Sequence, residues 1–260
     1  MRFAFLGNNW LGWKVLEWLR LQPDELVALV VHPDSRSRHR AEIQSCSGLD
    51  GSRIFEGPDL EKAEGLERIR ALRPEIGVSV MFGQILRSEF LKLFPRGCVN
   101  LHPGLLPYGR GAYPNVWSIV ERTPAGVTLH RMDQGVDTGE ILGQREVVVE
   151  PVDTGETLYR KLERAGLEVF QELWPLVRKG ELKGRAQPSG EGTAHRARDV
   201  DRIDEIDLDK RYKARDLIDL LRARTFPPYP GSYFVEGGRR VYIRVEMSYE
   251  DGSRPGELRR

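Results

Sequence analysis

Arg2-Phe3-Ala4-Phe5-Leu6-Gly7-Asn8-Asn9-Trp10-Leu11-Gly12, with the residues that follow it to position 31, decides the fold. Residues 2–7 form an apolar run of strand length, and Asn8 and Asn9 follow as turn and cap residues. Residues 10–20 then carry Leu11, Val15, Leu16, Trp18 and Leu19 at helical spacing, and residues 26–31 are a second apolar run bounded by Pro23-Asp24 and Pro33-Asp34. Strand, helix and strand within roughly 30 residues make a βαβ unit. Such a unit implies parallel strands joined by a right-handed crossover. The first turn has glycine only at its ends, Gly7 and Gly12, and lacks the G-x-G-x-x-G spacing of a dinucleotide fold, so no NAD is expected. It still sets backbone N–H groups and two amides at a helix start, where an anion or a base edge could bind. Asn9 as a plain N-cap is the simpler alternative.

The same alternation continues outward. Residues 53–55 read as a short strand, 59–72 as a helix ending before Pro74, 75–82 as a sheet strand, 88–94 as a short helix capped by Ser88, and 97–101 as a further strand. Four or five strands with helices between them predict a doubly wound α/β domain with a mostly parallel, Rossmann-like sheet. Residues 113–120 read as a helix and 125–132 as an alternating strand, in which His130 is expected to be a half-exposed structural residue. Residues 133–140 read as a loop, 141–150 as another strand, and 154–179 as a long helix. The predicted organisation is a catalytic domain over 1–180, a polar, Gly-rich linker over 181–197, and a small module over 198–260 packed on it. That module reads as a small α+β appendage: an extended piece at 203–208, a helix at 213–224, a rigid turn at 225–231, and a hairpin of 232–236 and 239–247 around Gly237-Gly238.

The chain has 260 residues, of which 40% are hydrophobic and 30% charged, a globular composition. A formal net charge of +1 gives no overall signal of nucleic-acid binding, although a local patch stays open. Arg36, Arg38 and Arg40 lie in a polar stretch, 33–50, that reads as an exposed loop; its arginines could meet phosphates or simply be solvated. Cys46 and Cys98 make neither a disulfide framework nor a CxxC pair, which suits a reducing cytoplasm. No signal peptide or run of 18 apolar residues is read, so no membrane partner is expected. The five histidines show no metal-ligand spacing, so no metal is expected.

Chemistry concentrates in Asn100-Leu101-His102-Pro103-Gly104-Leu105-Leu106-Pro107-Tyr108-Gly109-Arg110-Gly111. Asn100 and His102 are two apart on a predicted strand, so both side chains share a face. An amide and an imidazole projecting from a strand end beside an irregular loop can stabilise an oxyanion and move a proton. They can also simply bind loop carbonyls. Asp137, 35 residues beyond His102, is far enough along the chain to return to the same sheet edge after a helix and a strand.

The two motifs N-x-H-P-x-L-L-P-x-x-x-G and G-V-T-L-H-x-M-D-x-x-x-D-T-G-E together resemble the folate-dependent formyltransferase family over roughly residues 1–180. The resemblance implies transfer of a formyl group from 10-formyltetrahydrofolate to an amine. It makes His102 the general base, Asn100 the donor to the developing oxyanion, and Asp137 the group that sets the imidazole's protonation state. It also implies that the pterin lies against Met81, Phe82, Gly83, Gln84, Ile85 and Leu86 and against Asp133 and Val136 of the next loop, chiefly through main chain. Within the family, the helix and the stretch Arg-Ala-Arg-Thr-Phe-Pro-Pro-Tyr-Pro-Gly-Ser-Tyr-Phe at 222–234 look like the short C-terminal module of sugar-nucleotide N-formyltransferases. The expected acceptor is therefore the amine of a nucleotide-linked amino sugar, with no nucleic acid as partner and a cytoplasmic homodimer as the working form. Asn8, Asn9, Trp10, Lys14, Pro103, Gly104, Arg110, Tyr113 and Tyr229 are the expected substrate contacts. Phe226, Tyr229, Tyr233 and Phe234 could stack on a base or serve as a hinge of aromatics and proline. The alternatives are a methionyl-tRNA formyltransferase, a non-catalytic folate- or nucleotide-binding module, and a formyl-folate hydrolase.

Overall fold

The computed structural model describes residues 1–253. The strands are β1 (Arg2–Gly7), β2 (Glu25–Val31), β3 (Ile54–Glu56), β4 (Ile76–Val80), β5 (Cys98–His102), β6 (Arg110–Gly111), β7 (Ala125–Arg131), β8 (Ile141–Val147), β9 (Ala194–His195), β10 (Tyr233–Glu236) and β11 (Arg239–Tyr242). The helices are α1 (Asn9–Leu19), α2 (Arg40–Ser47), α3 (Ala63–Ala71), α4 (Ser88–Leu91), α5 (Pro114–Val120), α6 (Gly155–Lys179), α7 (Asp201–Asp204) and α8 (Ala214–Ala223). By contacts the chain divides into two units that interleave in sequence. The first takes residues 1–102, 127–145 and 163–188, and the second takes 103–126, 146–162 and, of the described residues, 189–253.

The first unit is built on a seven-stranded sheet in the order β3-β2-β1-β4-β5-β7-β8. The pairs β2–β3, β1–β2, β1–β4 and β4–β5 are parallel, and β5–β7 is antiparallel. The expected doubly wound, mostly parallel α/β sheet is therefore present, and the strands read at 125–132 and 141–150 join it as β7 and β8. Strand alternation feeds two separate cores, since successive side chains point to opposite faces. Phe3, Phe5, Val99 and Leu101 join Leu11, Val15 and Leu16 of α1 and Phe170 and Trp174 of α6 on one face. Ala4, Leu6 and Cys98 join Ile69 of α3 and Phe90 of α4 on the other. Gly12 matters because α1 starts hard against the sheet: a Cβ there would lie 3.3 Å from the Val80 carbonyl oxygen. The chain order reverses between β1 and β4, a switch point whose carboxyl-end crevice is the usual ligand position in such sheets.

The second unit contains α5, α7, α8, the short β6–β9 pair and the antiparallel β10–β11 hairpin. The predicted C-terminal helix and hairpin are thus present. Arg122, just beyond α5, pairs with Asp219 of α8 at 2.8 Å and also with Asp216. Arg222 of α8 donates to Asp219 at 2.7 Å and to the Asp153 carbonyl at 2.8 Å.

Two local expectations are corrected. The stretch 33–50 is not all loop: residues 40–47 form α2. Ile43 supplies its one deeply buried apolar anchor, and the Arg40 guanidinium donates to the His32 carbonyl at 2.7 Å and to Glu56 at 2.8 Å. So sparse an apolar pattern carries no helical periodicity. Residues 203–208 are not simply extended either, because α7 runs to Asp204 and extended backbone begins with the Glu205–Tyr233 bridge.

Trp174 is fully buried and its indole N–H donates to Asp24 at 2.9 Å. Trp174→Ala should cost about 3–5 kcal/mol of stability through the cavity and lost contacts, read from the denaturant midpoint; an unchanged midpoint contradicts this packing.

Candidate active site

Cys98 lies in the second core, and alternation along β5 carries Asn100 and His102 onto the same face. The antiparallel partner β7 sets His130 opposite Asn100 and Thr128 opposite His102. These four residues therefore share one side of the sheet. His102 and His130 are 4% and 2% exposed, so the expected half-exposed His130 is in fact buried. Its burial follows from a central strand pair, whereas the sequence pattern showed only alternation.

Asp137 completes the group. Its carboxylate lies 3.5 Å from His102 Nδ1, 3.4 Å from His130 Nε2 and 3.4 Å from Asn100 Nδ2. Asn100 Nδ2 is also 3.1 Å from His130 Nε2. A carboxylate facing Nδ1 of His102 favours the proton there and leaves Nε2 as the basic nitrogen. The group thus offers an imidazole base with a carboxylate behind it and an amide donor beside it, the parts needed for proton transfer and oxyanion stabilisation.

The turn that presents Asp137 is tightly held. Asp133 accepts from the Gly135 N–H at 2.9 Å and from the Thr138 hydroxyl at 2.7 Å. Asp137 itself has a left-handed φ of 54°. Gly139 is required by close approach, since a Cβ would fall 1.9 Å from the Arg131 carbonyl oxygen. The Gln187 amide donates to the carbonyls of Asp137 at 2.7 Å and Gly139 at 2.9 Å. Sequence reasoning missed both His130 and Gln187. Cross-strand register would have found the first. The second sits in the stretch read as linker, and its proline-flanked polar composition carries no signal of a contact.

Met81, Phe82, Gly83, Gln84, Ile85 and Leu86 leave the end of β4. Met81 has a left-handed φ of 56°. Phe82 and Leu86 are buried in the second core, and Phe82 stacks on His32 at 4.3 Å. Gln84 donates to the Gly57 carbonyl at 3.1 Å, while Ile85 and Val136 are exposed. With Phe82 and Leu86 committed to packing, this segment has mainly its backbone to offer a ligand. Asn8 is the N-cap of α1, yet its side chain accepts from the Arg38 N–H at 2.8 Å instead of capping. Trp10 packs against the first core, and Lys14 pairs with Glu17 at 2.8 Å and lies 3.8 Å from the Trp13 ring centre. Asn9 starts α1 with a φ of 61°.

Pro103, Gly104, Arg110, Tyr113 and Tyr229 belong to the second unit. There Arg110 lies on β6, Tyr113 is the half-exposed residue before α5, and Tyr229 packs edge-on against Phe226 at 5.4 Å. Among the described residues no group of three or more His, Cys, Asp or Glu side chains is placed to hold a metal ion.

Comparison with known proteins gives two family matches. Residues 17–173 match the formyl transferase family, and residues 199–249 match the N-formyltransferase dimerization C-terminal domain. A methionyl-tRNA formyltransferase of Desulfotalea psychrophila is 30% identical over 269 residues, covering 100% of this chain and 81% of the relative. Among solved structures, a 4-N formyltransferase from Francisella tularensis superposes with a TM-score of 0.82 at 27% identity, covering 95% of this chain and 98% of that one. The formyltransferase PseJ from Anoxybacillus kamchatkensis, in complex with UDP-4,6-dideoxy-4-formamido-L-AltNAc and tetrahydrofolate, gives a TM-score of 0.56 at 31% identity, covering 78% and 89%.

Burial, and then the nearby Arg36 charge, hold the His32 pKa below its ordinary 6.5. The unfolded chain therefore binds a proton more readily, so the stability tied to neutral His32 is present above pH 6.5 and is lost as pH falls below it. His32→Phe keeps a ring on Phe82 and removes the titration. It should flatten the fall in melting temperature between about pH 7 and pH 5; an unaltered slope counts against this linkage.

Proposed function

This chain belongs to the formyl transferase family, and on that premise we propose that Asn100, His102 and Asp137 carry a formyl group from 10-formyltetrahydrofolate to a primary amine. The observation that supports it is the Asp137 carboxylate placed within 3.5 Å of both His102 Nδ1 and Asn100 Nδ2. In this reading the amine nitrogen attacks the formyl carbon and a C–N bond forms. His102 Nε2 takes the proton that the amine must lose. The oxygen of the tetrahedral intermediate gathers negative charge and accepts from the Asn100 amide, a neutral donor that stays in place as charge grows. Asp137 stabilises the imidazolium formed at His102. As the bond to N10 of the folate breaks, His102 returns its proton to the departing nitrogen. The folate's pterin is assigned to the main chain of residues 81–86 and 132–137, because the side chains of Phe82 and Leu86 are occupied in the core.

The nucleotide-linked amino sugar expected as acceptor is corrected. The 30% identity to a methionyl-tRNA formyltransferase covers the whole chain, including the C-terminal stretch used to separate the two readings. Other curated relatives at 28–33% identity carry the same name. The short helix-and-turn module was therefore not a discriminator. Nor was the net charge, because phosphate contacts depend on local arginines and not on the chain's total. The expectation of no nucleic-acid partner falls with the sugar. The acceptor favoured here is the α-amine of methionyl-tRNA, a primary amine of the kind the cluster can deprotonate.

The same reading takes residues 1–180 as the catalytic portion and 198–260 as a module through which two copies associate in the cytoplasm. The match to a dimerization domain and the half-exposed Val235, Val241 and Tyr242 of the hairpin support the association.

Incubation with radiolabelled 10-formyltetrahydrofolate and methionyl-tRNA should leave label on the aminoacyl-tRNA. Label appearing only on a nucleotide-linked amino sugar overturns the acceptor. His102→Asn should lower turnover by about 10²–10⁴-fold with folate affinity kept; retained turnover removes His102 as base. Gln187→Ala loosens the Asp137 turn and should lower kcat about 10- to 100-fold through misplacement of the carboxylate, with the change visible in kcat and not in folate affinity.

A further inference from the structure

His130 was the one member of the cluster without an assigned part, and its hydrogen bonds define one. Its Nδ1 lies 2.7 Å from the Arg131 carbonyl oxygen. A carbonyl oxygen can only accept, so Nδ1 carries a proton. In the neutral ring that leaves Nε2 with a lone pair and no hydrogen. Nε2 faces Asn100 Nδ2 at 3.1 Å, and an amide nitrogen can only donate. The two contacts therefore form one directed chain: Asn100 N–H to His130 Nε2, and His130 Nδ1–H to the Arg131 carbonyl.

An Asn amide can usually sit in either of two orientations that differ by a half turn. Here only one suits the neighbours. With Nδ2 toward His130 the amide meets the imidazole at 3.1 Å and donates to the Asp137 carboxylate at 3.4 Å, a long bond that a developing oxyanion can replace. Turned over, the amide would set its oxygen against the Nε2 lone pair and against the Asp137 carboxylate, which lies 3.4 Å from Nδ2. Two electron-rich pairs would then face each other in a buried site, where unscreened repulsion is costly.

We infer that His130, held as the Nδ1–H tautomer by the Arg131 carbonyl, is a positioning residue that fixes the orientation of the Asn100 amide, so that the N–H now on Asp137 at 3.4 Å is the one the reacting oxygen takes. This inference rests on the formyl-transfer reading of the site. A role for His130 as a second base fits poorly, since its Nε2 is engaged by Asn100 and its ring is 2% exposed.

Two variants and one spectrum test the inference. His130→Leu removes the acceptor; His130→Gln can restore one through its side-chain oxygen. His130→Leu should lower kcat about 10²-fold, the scale of a lost oxyanion donor, with the KM for folate within about twofold of wild type, and His130→Gln should recover most of the loss. In an Asn100→Ala background, His130→Leu should add no further loss in kcat, since the residue acts through that amide. An equal loss in both backgrounds, or none in the wild-type background, overturns the proposal. Long-range ¹H–¹⁵N correlation of histidine-labelled protein, assigned by comparison with His130→Gln, should show the Nδ1–H tautomer at neutral pH. An Nε2–H tautomer or an imidazolium overturns it whether or not the protein transfers formyl groups. Absence of transfer by the wild-type protein, with the Nδ1–H tautomer present, counts instead against the formyl-transfer reading.

Discussion

The site depends on the antiparallel pairing of β5 with β7. At the end of the parallel run β3-β2-β1-β4-β5, this pair sets Asn100 against His130 and His102 against Thr128. A slip of one residue would turn every side chain of one strand to the opposite face. Both strands are pinned against such a slip by their other faces, where Val99, Leu101 and Leu129 are buried in the first core. Hydrophobic burial therefore sets the polar geometry on the opposite side.

The Asp137 carboxylate is the second fixed point. It comes from a turn rather than a strand, so its precision is local: the Asp133 side chain, the close approach at Gly139 and the Gln187 amide all constrain the same few residues. Holding a carboxylate in a left-handed turn costs conformational energy that these contacts offset. The return is one anion facing two imidazoles and an amide. A base, an oxyanion donor and a charge-balancing group thus arise from a strand pair plus one turn, with no metal required by the proposed steps.

Much of this was legible in the sequence. Apolar runs of strand length around a helical stretch at 2–31 foretold the parallel sheet, because both periodicities are imposed by a core and survive in residue order. Asn100 and His102 were visible as a same-face pair for the same reason. Asp137 was visible through its motif. What was not legible depends on pairing between distant segments. His130 reads as one more strand residue until β7 is laid beside β5. Gln187 reads as linker until its amide meets the turn. The helix at 40–47 hides because Ile43 is its one deep anchor and the rest is held by Arg40. The acceptor was misjudged because total charge and module length are weak proxies for a local binding surface, a property of arrangement that residue order records poorly.

The central claim is that the buried Asn–His–Asp cluster directs formyl transfer to an amine and not to water. Single-turnover mixing with 10-formyltetrahydrofolate, with and without an amine acceptor, tests it most directly. The account predicts that tetrahydrofolate appears rapidly only when the acceptor is present. Formate released at the full rate without any amine would contradict it.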